Sequence, residues 1–306
     1  MNEIKNVLIC GIGAIGSIYA DKISRYNNQN LKILVDKNRY EKYLKTPKIF
    51  NGKELKLNYI LPDDTSFKAD LIIIATKYDG LTDAINNIKN FVKDDTIILS
   101  LLNGVTSEEL IAQRYGAKHI IHSYFIGHSA MRNGNNISFD GTGDIVFGVL
   151  NPQITDKNYE NILKDYFDKV GIDYKIPQDI KRSMWLKFML NVSSNQTSAI
   201  LHKTFGQMQQ SIKIRQMLKN IMCEVVKLAK VRGVQNTDTM IDEAFKAFDK
   251  MCPEGKTSML QDIEAGRKTE VEIFAGSVIE MGEKYNIPTP YNKFLKEMIE
   301  ALEEKI

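Results

Sequence analysis

Cysteine is scarce: three occur in 306 residues, at Cys10, Cys223 and Cys252, far apart from one another. That spacing supplies neither a disulfide framework nor a metal cluster, and it fits a reducing compartment. No block of like charges occurs, and the formal charge is only +3, so a nucleic-acid or anionic-membrane partner is not suggested. Long hydrophobic runs are missing too. The longest, Leu71–Ala75 and Ile97–Leu102, have strand length, far below the roughly 18 residues of a membrane helix. His119, His122, His128 and His202 show no spacing that argues for catalysis. Nothing repeats at a fixed period, and nothing is low-complexity. Met1-Asn-Glu-Ile-Lys runs straight into a strand and lacks a signal-peptide layout, so a cytoplasmic location is expected. The chain is 43% apolar and 26% charged, the balance of a globular protein, and its length suits two domains.

The first half alternates strands and helices. Asn6–Cys10 is a short apolar run of the kind buried in parallel sheets. It leads into Gly11-Ile12-Gly13-Ala14-Ile15-Gly16 and a helix reaching about Arg25. Gly11 permits the tight turn, Gly13 lets a pyrophosphate approach backbone, and Gly16 lets helix pack on strand. The helix start favours the anion. A second strand, Leu31–Val35, ends at Asp36, 20 residues beyond Gly16, where an acid can accept from ribose hydroxyls. Together these predict a dinucleotide site. Further strands are expected at Ala69–Ala75, Thr96–Leu102 and His119–Phe125, with a helix near Leu81–Val92. This predicts a doubly wound, Rossmann-type parallel sheet whose ligands lie beyond the strands' carboxyl ends. Lys77, after Thr76, and Asn103, before Gly104, stand at such ends; a solvated loop lysine and a turn-forming Asn-Gly pair are the plainer readings. Arg132–Asn135 and Asp140–Gly143 resemble hairpin turns, predicting an antiparallel extension of the sheet that includes Asp144–Val149. Helix 155–170 and a strand at Asp173–Ile176 complete a dinucleotide-binding domain over residues 1–177.

Beyond Pro177, residues 178–306 read as an all-helical substrate domain. Helices are predicted at 180–203, 210–232, 238–251, 258–284 and 291–304. Lys187, Asn191 and Asn195 recur at i, i+4 and i+8 on the first of them, and so share one face of an otherwise apolar helix. Such groups are costly to bury unless something polar meets them. They either satisfy loop backbone or line a wet cleft that takes a polar ligand. Ser258 with Gln261 matches a capping box. Glu270 lies 12 residues beyond Ser258, roughly 18 Å along a straight helix, so both serve one small substrate only if it lies along the helix or the helix bends near Gly266.

Gly11-x-Gly13-x-x-Gly16, Thr76-Lys77, Asn103-Gly104, Lys187-x-x-x-Asn191-x-x-x-Asn195, Ser258–Asp262 and Thr269-Glu270 together resemble the ketopantoate reductase family (2-dehydropantoate 2-reductases) over nearly the whole chain. The resemblance implies a Rossmann domain followed by an all-helical domain of the 6-phosphogluconate dehydrogenase C-terminal type. It implies Lys187 as proton donor, Asn103 touching cofactor and substrate, and Glu270 beside the cofactor and the reacting centre. Asn191, Asn195 and Ser258 would hold the substrate, while Lys77 and Ala130 would contact the dinucleotide. The implied reaction is NAD(P)H-dependent reduction of a 2-keto acid, 2-dehydropantoate to pantoate, in pantothenate biosynthesis. No metal is implied, and both a monomer and a homodimer suit such chains.

Three positions depart from the family pattern. A basic residue usually ends the second strand and reads the 2′-phosphate of NADPH; here it is Asp36, which favours NADH, with Lys37 and Arg39 close by. Two asparagines common on the substrate side are Phe205 and Gly255, so two polar contacts are gone while reduction of a related 2-keto acid is still implied. The alternatives are a reductase of another keto or hydroxy acid and a dinucleotide-sensing regulator without catalysis.

Overall fold

Apolar runs without alternation need cover on both faces, and the computed structural model, which describes residues 3–127, 130–139 and 141–304, buries them that way. The first of two compact units spans Met1–Ile180. It opens with β1 (Val7–Cys10), α1 (Ala14–Asn27), β2 (Leu31–Leu34) and α2 (Lys37–Lys45). Three two-residue strands follow: β3 (Ile49–Phe50), β4 (Lys53–Glu54) and β5 (Tyr59–Ile60). The chain continues with β6 (Leu71–Ile74), α3 (Leu81–Asn87), β7 (Ile97–Ser100), α4 (Ser107–Tyr115) and β8 (Ile120–Gly127). A hairpin of β9 (Met131–Asn133) and β10 (Asn136–Ser138) precedes β11 (Gly143–Gly148), α5 (Asn158–Val170) and β12 (Tyr174–Lys175).

Eight strands form one sheet in the order β12-β11-β8-β7-β6-β1-β2-β5. Its pairings are parallel except β8 with β11, which run antiparallel with Gly143 opposite Gly127. The predicted doubly wound sheet and its antiparallel extension are both present. From β1 the chain steps to β2 on one side and later to β6 on the other. That reversal is the switch point beside which doubly wound sheets bind ligands.

The hairpin at Arg132–Asn135 forms, but away from the main sheet. It joins a second sheet in the order β4-β3-β10-β9. There Ile49 pairs in parallel with Asn136, and the Asn51 carboxamide both donates to and accepts from the Phe139 backbone at 2.8 Å. Residues this far apart in the chain leave no local signal of their pairing. The turn expected at Asp140–Gly143 begins on a residue outside the described ones, as does His128.

The described residues of the second unit, Lys181–Ile306, contain helices and no strand. They are the rest of α6 (Ile180–Leu201), α7 (Phe205–Gln210), α8 (Ile212–Val231), α9 (Met240–Phe248), α10 (Ser258–Glu264), α11 (Ser277–Tyr285) and α12 (Pro290–Glu303). α6 turns into α7 through His202 at φ +51°. The continuous helix expected over 258–284 is corrected. α10 ends at Glu264; Gly266, just beyond, takes the left-handed φ of +61°, and Arg267 folds back so that its N–H meets the Asp262 carbonyl at 2.8 Å. A π-helical turn, Glu272–Gly276, then leads into α11.

Candidate functional site

The strand-to-helix turn after β1 is shaped by what glycine leaves out. Gly11 sits at φ +95°, and a Cβ there would stand 2.7 Å from the Ala75 carbonyl and the Thr76 nitrogen of the neighbouring strand end. A Cβ on Gly16 would collide with the Gly11 carbonyl oxygen, so the helix lies against the turn only because both are glycine. A Cβ on Gly13 would meet nothing within 4 Å, leaving its backbone open to a ligand. Gly13 is the N-cap of α1 without a side-chain cap, so the first-turn N–H groups point at that opening with the helix dipole behind them. Ile12 is buried, while Ala14 and Ile15 begin the helix partly exposed. The Thr76 hydroxyl, on the strand end beside this turn, is buried with no hydrogen-bond partner. An open cradle of backbone donors at a helix N-terminus suits a pyrophosphate. Cys10, just before it, is no nucleophile, because burial pushes its thiol far above the ordinary range.

Adjacent strand ends bring the other predicted groups of this unit to the same edge. β6 ends beside β1, and the Ala75 N–H donates to the Cys10 carbonyl at 2.8 Å. Lys77 follows as an exposed residue opening a short helical turn. β7 ends beside β6, with the Leu101 N–H on the Ile74 carbonyl at 2.8 Å. Two residues later stands half-buried Asn103, before Gly104 at φ +99°. A buried hydroxyl–carboxylate cluster that sequence reasoning did not single out fastens this loop. Ser107 Oγ donates to Glu108 Oε2 and lies within 2.8 Å of Ser100 Oγ, while Ser123 Oγ donates to the Ser100 carbonyl at 2.8 Å. Ala130 is partly buried against the core just before β9.

Asp36 follows the end of β2 with a task of its own. Its Oδ1 accepts from the Arg39 N–H at 2.8 Å, capping α2, and its Oδ2 lies 3.3 Å from Arg39 Nε. The carboxylate is exposed, and each oxygen has further lone pairs for a ribose.

In the second unit, α6 is buried from Met184 to Ala199 except at Leu186, Lys187 and Asn191. The predicted stripe therefore opens a narrow polar window in an otherwise enclosed helix. One turn further, Asn195 is buried, and its Oδ1 accepts from Ser258 Oγ at 3.1 Å and from the Met259 N–H at 3.4 Å. A backbone N–H can only donate, so the carboxamide oxygen is fixed there and its NH₂ faces elsewhere. Asn195 and Ser258 are thus brought together as a pair, with donors on one and hydroxyl lone pairs on the other.

Ser258 is free for this because the expected capping box does not form. The N-cap is Thr257, which accepts from the Leu260 N–H at 3.2 Å, and Gln261 turns back to the Lys256 carbonyl. Glu270 lies past the break at Gly266, so the 18 Å straight-helix separation does not apply. Its neighbour Thr269 donates both its N–H and its hydroxyl to Glu303 Oε1, at 2.8 and 2.6 Å. Among the described residues, no His, Cys, Asp and Glu side chains gather as a metal site, and no helix is long and apolar enough to cross a membrane.

Residues 7–152 match the family described as Ketopantoate reductase PanE/ApbA, and residues 179–303 match Ketopantoate reductase PanE/ApbA C terminal. The chain is similar to the 2-dehydropantoate 2-reductase of Streptococcus pyogenes, 27% identical over 305 residues and 97% of each chain. It is also similar to that of Aquifex aeolicus, 26% identical over 98% of this chain and 97% of the relative. In fold it resembles a D-mandelate dehydrogenase solved with NADH and anilino(oxo)acetate, at a TM-score of 0.85 and 25% identity over 98% of both chains.

Proposed function

Because the chain belongs to the ketopantoate reductase family, we propose that it reduces a 2-keto acid to the 2-hydroxy acid, with Lys187 as the proton donor. It is an oxidoreductase acting on CH–OH groups, as its relatives are named. One observation supports the reading most. In an enclosed helix, the polar window holds Lys187 and Asn191, one turn from the Asn195–Ser258 pair.

The bound nicotinamide, NADH or NADPH, supplies the hydride. The residues of the glycine turn receive the pyrophosphate, with Lys77, Asn103 and Ala130 as further cofactor contacts. As C2 of the keto acid gains the hydride, negative charge builds on its oxygen. The Lys187 ammonium stabilises that charge and then gives up its proton. Asn191, the Asn195 NH₂ and Ser258 hold the acid, and Glu270 stands by the reacting centre. 2-Dehydropantoate, reduced to pantoate, is the substrate that the relatives' names bring to this chain. The D-mandelate dehydrogenase with its aromatic oxo-acid ligand widens the class to be tried.

The test is loss of nicotinamide absorbance when the purified chain meets NADH or NADPH with a panel of 2-keto acids. Stoichiometric formation of the 2-hydroxy acid is expected. Cofactor binding without turnover of any of them would leave a dinucleotide-sensing regulator instead.

A further inference from the structure

We propose that this chain prefers a 2-keto acid whose far end is apolar, and that Phe205 sets the preference. This rests on the reductase reading above and narrows it. Phe205 begins α7 behind its Thr204 cap. Its N–H donates to the Gly255 carbonyl at 3.0 Å, and the Gly206 N–H donates to the Pro253 carbonyl at 2.8 Å. The first turn of α7 is thereby strapped to the segment that ends, three residues later, at Ser258. Ser258 in turn holds Asn195 on α6, and the Lys203 N–H closes the α6–α7 corner on the Ser198 carbonyl. Phe205, Gly255, Ser258 and Asn195 thus belong to one small corner.

Within it, positions 205 and 255 are coupled. A Cβ on Gly255 would stand 3.0 Å from Phe205 Cδ2 and 3.0 Å from the Cys252 carbonyl oxygen. The ring therefore occupies the space into which a side chain at 255 would project. The ring also packs edge-on against Phe248, centroids 6.1 Å apart. The Gly255 N–H is paired as well, donating to the Cys252 carbonyl at 2.9 Å. Phe205 is only partly buried, so beyond the polar Asn195–Ser258 pair this corner adds aromatic surface for the far end of the acid, which gains from apolar contact, while neither position 205 nor position 255 supplies a carboxamide.

Two substrates that differ by one hydroxyl isolate the effect. 2-Dehydropantoate is 3,3-dimethyl-2-oxobutanoate (trimethylpyruvate) with a hydroxyl on C4. A site built to bond that hydroxyl rejects the analogue lacking it by about 10⁴-fold or more, whereas an apolar pocket disfavours the added hydroxyl by up to about 10². The expected result is a kcat/KM for trimethylpyruvate about tenfold or more above that for 2-dehydropantoate. Phe205→Asn, and Phe205→Asn with Gly255→Asn, should shift the ratio towards 2-dehydropantoate. Equal or better use of 2-dehydropantoate by the unaltered chain overturns the inference and leaves the reductase reading standing. Turnover of neither, with either nucleotide, overturns the inference as well, and the wider panel of 2-keto acids then decides the reductase reading.

Discussion

The Asp36 carboxylate caps a helix with one oxygen and holds Arg39 with the other. Arg39 looks, from the sequence, like a cation able to offset Asp36 before a 2′-phosphate. In the structure its guanidinium is already engaged by that same acid. A 2′-phosphate brought here would meet an exposed carboxylate, and about 1 kcal/mol of like-charge repulsion corresponds to about fivefold in affinity. NADH should accordingly bind about fivefold or more tighter than NADPH. Asp36→Ser keeps a good N-cap and releases Arg39, so the preference should narrow or invert. Fluorescence titration of the reduced nicotinamide measures both, and tighter NADPH binding by the unaltered chain would refute this account of Asp36.

At the scale of elements, α6 is held from behind by a buried polar network. Gln196 Nε2 donates to the Val192 carbonyl and to Asn292 Oδ1, at 2.8 and 3.1 Å. Glu224 on α8 accepts from the Tyr291 and Asn292 N–H groups and from Asn292 Nδ2, capping α12. Glu224 and Asn292 are 4% and 0% exposed, so Glu224→Ala would strand buried donors, at about 3 kcal/mol. A urea midpoint lowered accordingly at unchanged slope is expected; a midpoint unchanged from the unaltered chain would show that the network does not hold these helices. The same helix shows how a buried polar run is tolerated. Ser193 and Ser194 donate to the carbonyls of Met189 and Leu190 on the preceding turn, which satisfies both hydroxyls within the helix itself. None of this network is legible in sequence, because Glu224 and Asn292 meet only after three helices pack. The break at Gly266 is similar. Apolar periodicity runs on past it, whereas the turn is fixed by Asp262 on one side and Glu303 on the other. The choice of Thr257 over Ser258 as cap turns on one residue's backbone angle, finer than a capping pattern resolves.

For the molecule as a whole, the large features could be read because they are set by local chemistry repeated along the chain. β1, β6 and β7 are unbroken apolar runs, and the glycine turn after β1 admits no side chain at two of its positions. The β9–β10 hairpin is signalled by its turn, whereas its pairing with β3 and β4 leaves no local signal, because those strands are two residues long and lie far away in the chain. The spacing of Lys187, Asn191 and Asn195 on one helix is what makes the candidate site legible in the sequence. What fixes their orientation, such as the Met259 N–H on Asn195, is not. Family membership makes the chain an oxidoreductase, and the chemistry proposed for it rests on one ammonium group. The most direct measurement is the turnover and cofactor affinity of Lys187→Ala beside the unaltered chain. A fall in kcat of about 10²–10⁴-fold, with nicotinamide nucleotide binding within about twofold, is the expected result; an enzyme that keeps its full turnover without that amine would contradict it.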